Sequence, residues 1–528
     1  MKRLTITLFI LATLLLNMLP ACDGLDDHYS TNPTYRLSFS TDTLAFDTIF
    51  STIGSTTRQF MIYNKNSEPL SIESIMLASG EATGFRMNVD GRKGSSFNNV
   101  GILANDSMYV FVEVTVDPNG GNQPLLIQDS VLFTVNGIRQ SVLLEAYGQD
   151  VNLYKGGVTI TKDSILTANR PYLIYDSLVI AKGVSLNIEK GATFYMHDKA
   201  SLIVHGSMNA LGTLDEPITF RGDRLDYILN DILPYDRTPG QWGGITFKAD
   251  SYGNVWDNVI VRNGTSGVYC EPSTPDRPKI KINNSQITNM GSDLFFAINC
   301  DVIATNTEFS NAGGSVLTLV GGKYYFAHCT MANYMSLTKR EMASETVPLD
   351  SKCLYLLNNV TVDGNGPYPI TQAYFDNCTI DGSYDVELKA DGSTDFDYRF
   401  NHCALKAKES SSDHFKEVLF IKKTPSYRKV GGKQNKYTYD FRSRKSRSRD
   451  NEELSDRSLR CQPANQFERP DHRSLRVCSG RDRRFKRIRI HYILTINQSF
   501  NYEDFYVFSF ILCLPSVICP SYVQGHDL

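Results

Sequence analysis

Charge of one sign is the first thing this chain lacks. Its 54 Lys and Arg stand against 57 Asp and Glu, a formal net charge of -3, which excludes a protein that coats nucleic acid through its net field. Long apolar runs are missing too: none reaches the roughly 18 residues of a membrane-spanning helix, so a multi-span membrane protein is excluded. No long stretch keeps a helical period, and no glycine-rich phosphate loop, zinc-ligand spacing or nucleophile elbow is found. What is present is the composition of a folded chain: 528 residues, 41% hydrophobic and 21% charged, with 28 Phe, 28 Tyr and 37 Gly. That excludes a disordered chain and favours β structure. At roughly 100 to 200 residues per domain, about three units are expected.

Lys2 and Arg3 precede an apolar run from Leu4 to Leu16, and Leu19-Pro20-Ala21-Cys22 follows. A charged head, a short apolar core and small residues before a cut make a secretory signal. Leu-Pro-Ala-Cys resembles the lipobox of bacterial lipoproteins, in which the cysteine is acylated and becomes the mature N-terminus. The resemblance makes 1–21 a signal peptide and Cys22 the lipidated residue. The acidic stretch Asp23 to Asp27, within a tether at 22–34, resembles the export signal of Bacteroidetes surface lipoproteins. It implies a protein anchored by lipid to the outer membrane and exposed on the cell surface. The membrane is then a partner, nucleic acid is not, and a monomer is expected.

Between 35 and 150 the reading is strand after strand. Leu37 to Phe50, Gln59 to Tyr63, Leu70 to Leu77, Tyr109 to Val116 and Val131 to Ala146 alternate apolar and polar residues. Asn136-Gly137 is a two-residue hairpin turn, and Asn66 to Pro69, Asp117 to Gly121 and Gly148 give further turn signals. The segment resembles the immunoglobulin-like β-sandwiches found near the anchor of Bacteroidetes surface lipoproteins, which implies a spacer.

From 151 to 440 the chain repeats. Asn258, Asn284, Asn306, His328, Asn359, Asn377 and His402 align at a mean step of about 24 residues, a solenoid period. Two residues earlier the column is apolar (Trp256, Ile282, Ala304, Phe326, Leu357, Phe375, Phe400); one later it is small throughout, and three later apolar again. This is a strand with period-two alternation behind a turn whose Asn tolerates a left-handed backbone. Gly291 to Phe309 overlays Gly313 to Met331 without a gap and reveals a second strand per coil. Gly183 to Ala192 and Gln241-Trp242-Gly243-Gly244-Ile245 resemble coils of right-handed parallel β-helix proteins with the pectate-lyase-like fold. The expected fold class is all-β: an immunoglobulin-like sandwich followed by that solenoid.

Chemistry must then come from residues that project outward. Asp363 and Asp381 fall on one aligned column and would lie on adjacent coils; turn formation, a calcium ion and an acid/base pair all suit them. Calcium is the one cofactor left open. A second outward column reads Val255, Lys281, Ile303, Tyr325, Leu356, Tyr374 and Arg399. Tyr325, Leu356 and Tyr374 could stack on sugar rings while Lys281 or Arg399 meets acidic groups, unless the irregular 333–351 insertion covers them. Lyases of this fold use acidic calcium ligands with an Arg or Lys base, and its hydrolases use clustered aspartates with a His. Neither set is found in matching positions: His197, His205, His328 and His402 are scattered, and the last two stand where the turn Asn usually does. No catalytic residue is assigned. The expected function is binding of carbohydrate or another surface macromolecule, with a polysaccharide lyase or glycoside hydrolase as the alternative.

Cys329, Cys378 and Cys403 fall in the small inward column and read as small apolar residues; Cys378 and Cys403, on neighbouring coils, are the one pair placed for a bridge. From 441 to 528 the character changes. Arg442 to Arg489 holds about half of the arginine, and the solenoid columns stop. A basic nucleic-acid arm, a disordered tail and a shifted reading frame near 440 are the three readings, and secretion argues against the first.

Overall fold

The computed structural model describes residues 28–229, 233–338, 340, 350–392, 395–422, 427–430 and 439–443. Cys22 and the Arg-rich tail beyond Ser443 lie outside them. The described residues are all-β, with one 3-10 turn at Tyr235–Arg237 and no helix long and apolar enough to cross a membrane.

The first part holds two five-stranded sheets. One orders Ser38–Phe39, Arg58–Asn64, Asp106–Val114, Phe85–Val89 and Arg92–Gly94; the other orders Thr43–Phe50, Ile138–Gln149, Leu125–Val135, Leu70–Leu77 and Ser96–Ile102. Alternate residues such as Phe60, Ile62, Ile72, Phe85, Val112, Phe133 and Leu144 point into one shared core. Asn136 and Gly137, at φ 48° and 72°, close the hairpin where the sequence places it. Gly148 differs: it lies inside a strand opposite Leu125, and a Cβ there would come within 2.4 Å of Val116 Cγ1. Close packing, rather than a turn, requires that glycine.

From Asn152 to Phe420 the chain visits three parallel sheets in turn, of 11, 9 and 10 strands; each of the first nine coils adds a strand to each sheet, and the chain beyond them adds strands to the first and third alone. This is a β-helical solenoid. In the third sheet Trp256, Ile282, Ala304, Phe326, Phe375 and Phe400 stand in register and are all fully buried. Phe326, Phe375 and Phe400 stack at 5.2 and 4.8 Å, near the spacing of about 4.8 Å between hydrogen-bonded strands. Each coil thus supplies one layer of a core that no single coil encloses.

The turn from third to first sheet carries Asn258, Asn284, Asn306, His328, Asn377 and His402, all between φ 49° and 55°. Asn359, at φ 55°, shares the conformation but closes a different corner, between the second and third sheets. A hairpin, Val360–Val362 with Asn365–Tyr368, is inserted there. An apolar strand followed by a left-handed Asn occurs at both corners, so aligning on that pattern merges two positions that the fold keeps apart.

The sandwich is clamped to the opening coils. Arg170 donates to Asn122 Oδ1 at 2.8 Å and to the Gly120 carbonyl at 2.5 Å, Phe50 packs on Tyr195 with ring centroids 4.7 Å apart, and Thr56 reaches Asp226 at 3.4 Å.

Candidate ligand-binding face

The outward column of the third sheet runs Val255, Lys281, Ile303, Tyr325, Tyr374, Arg399, each paired directly with the next. Tyr325, Tyr374 and Arg399 are therefore brought together on consecutive rungs, with Lys281 two rungs before Tyr325. Leu356 is not among them. It sits in the second sheet between Leu319 and Ala390, fully buried in the solenoid core, because the left-handed Asn of its coil closes a different corner.

The aspartate pair is also corrected. Asp363 is at the tip of the inserted hairpin, at φ 51° and followed by Gly364 at φ 76°; that is turn chemistry. Asp381 is opposite Ala332 in the first sheet and fully buried. Lying on different faces, the two carboxylates cannot share an ion or a proton. Among the described residues no group of three or more His, Cys, Asp or Glu is placed to hold a metal ion.

Around the Tyr-Tyr-Arg rungs the polar groups are specific. Tyr374 Oη donates to Asp397 Oδ2 at 2.7 Å, and the Arg399 guanidinium lies 4.2 Å from the Tyr374 ring centroid. Arg399 Nη2 is 3.9 Å from Asp376 Oδ1, which accepts from Asn401 Nδ2 at 3.1 Å. Burial pushes the Tyr325 hydroxyl well up, with the Asp376 carboxylate adding to it; burial and Asp397 push Tyr374 up to about 12. Both phenols therefore stay neutral donors at neutral pH. Burial holds the His328 imidazole below its ordinary range although Asp376 acts against it, and its Nδ1 has no hydrogen-bond partner. His402 bonds Asn401 Oδ1 at 2.9 Å and Glu417 Oε2 at 2.6 Å, so it ties two coils together.

On the first sheet Asp381 accepts from Tyr334 Oη at 2.6 Å and stands 3.8 Å from Lys406 Nζ; burial raises its carboxyl. Beside it Arg340, the one described residue of its stretch of the insertion, forms a fork with Glu387, both contacts at 2.8 Å, and the Tyr384 ring covers the guanidinium at 3.8 Å. Tyr334 and Arg340, described residues of the insertion, therefore lie against this face, while the tyrosine rungs lie on another sheet.

One arrangement escaped the sequence reading. Lys155, Tyr175, His197 and Asp223 each follow the end of a first-sheet strand on successive coils, at steps of 20, 22 and 26 residues. The Tyr175 and His197 rings stack at 4.0 Å, and His197 Nδ1 meets Asp223 Oδ2 at 2.6 Å. Burial raises the Asp223 carboxyl against the pull of His197. The uneven steps hid the column; its signal was a polar or aromatic residue directly after each apolar strand.

No protein-family model and no curated protein matches the chain. Among solved structures, the catalytic domain of a family 87 α-1,3-glucanase with bound tetrasaccharides aligns over 69% of this chain and 90% of its own, at 10% identity and a TM-score of 0.20. A family 123 glycoside hydrolase from Clostridium perfringens aligns over 23% of this chain at 8% identity and a TM-score of 0.16; a Porphyromonas gingivalis W83 protein of unknown function does so over 24%, at 12% and 0.17. The chain spans 30% and 60% of the lengths of those last two proteins. At such scores the likenesses bear on neither site nor activity.

Proposed function

We propose that the protein is a lipid-anchored surface lipoprotein whose third solenoid face binds carbohydrate, with the two-sheet domain acting as an immunoglobulin-like spacer and the coils winding right-handed. The reading rests on the consecutive rungs Tyr325, Tyr374 and Arg399, an aromatic strip edged by hydrogen-bonding groups on a rigid sheet. Aromatic faces take the apolar face of a sugar ring, and carboxylates beside them accept from its hydroxyls. Three rungs span about 10 Å, room for about two sugar rings.

Asp376 and Asp397 flank the Tyr374–Arg399 pair, one rung and four residues apart along the strand axis, and put acceptors for sugar hydroxyls on either side of the strip.

The test is a glycan panel scored for both retention and release of reducing or unsaturated ends. Tyr374→Ala should abolish retention while moving the thermal midpoint by less than about 3 °C, since the ring is only half-buried. End release by the wild type that disappears in Tyr374→Ala would replace binding by catalysis at the same rungs.

A further inference from the structure

The two ends of the sandwich are not equivalent. One end holds Phe50, Thr56, Gly120, Asn122 and Asp150, and it is clamped to the solenoid. At the other end the described chain begins: Ser30 N–H donates to the Pro69 carbonyl at 2.9 Å, and Asn136 Nδ2 donates to the Asn32 carbonyl at 2.9 Å. The register agrees, since Asn64 pairs with Asp106 and Leu70 with Ile102 at this end, while Arg58 pairs with Val112 toward the other. Strand Ile138–Gln149 runs from one end to the other, and its 12 residues at about 3.4 Å each measure roughly 40 Å.

At this free end Leu103, 54% exposed, stands on a turn made by Asn105 at φ 56°, and Tyr29 is 37% exposed. The surrounding charges are mixed: Arg36, Lys65, Glu68 and Asp106 are all exposed. An exposed leucine and a tyrosine at the end where the chain enters suit the boundary between headgroups and acyl chains, where apolar and amphipathic side chains collect.

We infer that this free end of the sandwich, through Leu103 and Tyr29, rests in the interfacial layer of the membrane that holds the protein, so that the spacer stands upright and carries the solenoid roughly 40 Å above the lipid. The inference rests on the proposed acylation of Cys22. Five residues, 23–27, separate Cys22 from His28, so even a fully extended tether reaches no more than about 20 Å. A tether that short cannot let the clamped end turn down to the lipid in place of the free end. Because the charges are mixed, the contact should depend little on lipid charge.

The experiment uses the full lipidated chain in vesicles of phosphatidylethanolamine and phosphatidylglycerol with brominated acyl chains. The native Trp242 and Trp256 are fully buried in the solenoid and give a constant background. Leu103→Trp should add emission that is blue-shifted and quenched at least twofold by the brominated lipid. Leu125→Trp, at a 52% exposed site toward the clamped end, should add emission that is not quenched, and an all-phosphatidylethanolamine vesicle should give the same contrast. Co-flotation with the vesicles reports the anchor separately. Protein that floats but shows no quenching at position 103, or equal quenching at 103 and 125, overturns the membrane contact and leaves the anchor standing. Protein that does not float, with mass spectrometry showing an unmodified Cys22, overturns the anchor and this inference with it.

Discussion

At position 381 a carboxylate is held where water does not reach it, with the Tyr334 phenol donating to it and an ammonium 3.8 Å away. Burial raises its folded pKa above 3.8, so the native state binds this proton more tightly than the unfolded chain does. The stability it contributes is thus present below the unfolded pKa and lost as pH rises through the folded one. Asp381→Asn mimics the protonated form. Near pH 3 the variant should match wild type, and toward pH 7 it should gain on wild type by about 1.4 kcal/mol for each pH unit that separates the folded pKa from the unfolded one; denaturant unfolding at both pH values checks it. A variant that loses stability relative to wild type toward pH 7 would mean that Lys406 stabilises the charged form more than burial penalises it. At the neighbouring fork the effect is larger. Arg340→Met leaves the buried Glu387 carboxylate without its cation, held by the Cys353 and Tyr384 amides, and should cost about 3 kcal/mol, whereas Arg340→Met with Glu387→Gln should recover much of it.

A second effect belongs to a whole corner of the solenoid. Ser285 and Thr307 donate their hydroxyls to the carbonyl two residues back, at 2.6 and 2.8 Å; Cys329, Cys378 and Cys403 make the same bond with their thiols at 3.4 Å. The oxygen or sulfur also accepts an amide from the coil before: Val259 N–H on Ser285, Ser285 N–H on Thr307, Cys378 N–H on Cys403. The column is a hydrogen-bond relay, and its thiols act as small donors as well as small apolar residues. All three cysteines are free. Cys403→Ser should keep both bonds and hold stability within about 1 kcal/mol, while Cys403→Ala should orphan the buried Cys378 amide at a cost of about 1 to 3 kcal/mol. Equal thermal midpoints for the two variants would remove the relay from the account. The column itself was legible in the sequence, because its members are small and follow the turn Asn. Its hydrogen bonds were not, since they depend on carbonyls of the same coil and on the coil before.

Across the whole molecule the decisive contact is the clamp between sandwich and solenoid. Arg170 contributes two hydrogen bonds and a 3.8 Å approach to buried Asp150, and Tyr195 packs on Phe50. Arg170→Ala combined with Tyr195→Ala should leave strand content unchanged and let the two parts swing, so small-angle scattering should show a broader distance distribution than wild type. An unchanged distribution would mean that the chain connection alone holds the angle.

The sequence by itself determined what is local or periodic: strands with one apolar face, the Asn136-Gly137 hairpin, and a solenoid whose turn residues visit the left-handed region on coil after coil from Asn258 onward. These follow from a period of two and from the few side chains that tolerate positive φ, both written residue by residue. Tyr325, Tyr374 and Arg399 were found for the same reason, as they share one offset from the turn. Only the tertiary structure decided which corner each turn closes. The left-handed Asn conformation serves two corners, and the inserted hairpin after Asn359 displaced the count, which sent Leu356 into the core and set Asp363 and Asp381 on different faces. It likewise decided where His197 meets Asp223 and how the sandwich is oriented on the solenoid. Those contacts join residues far apart in the chain through side-chain geometry that no periodicity encodes.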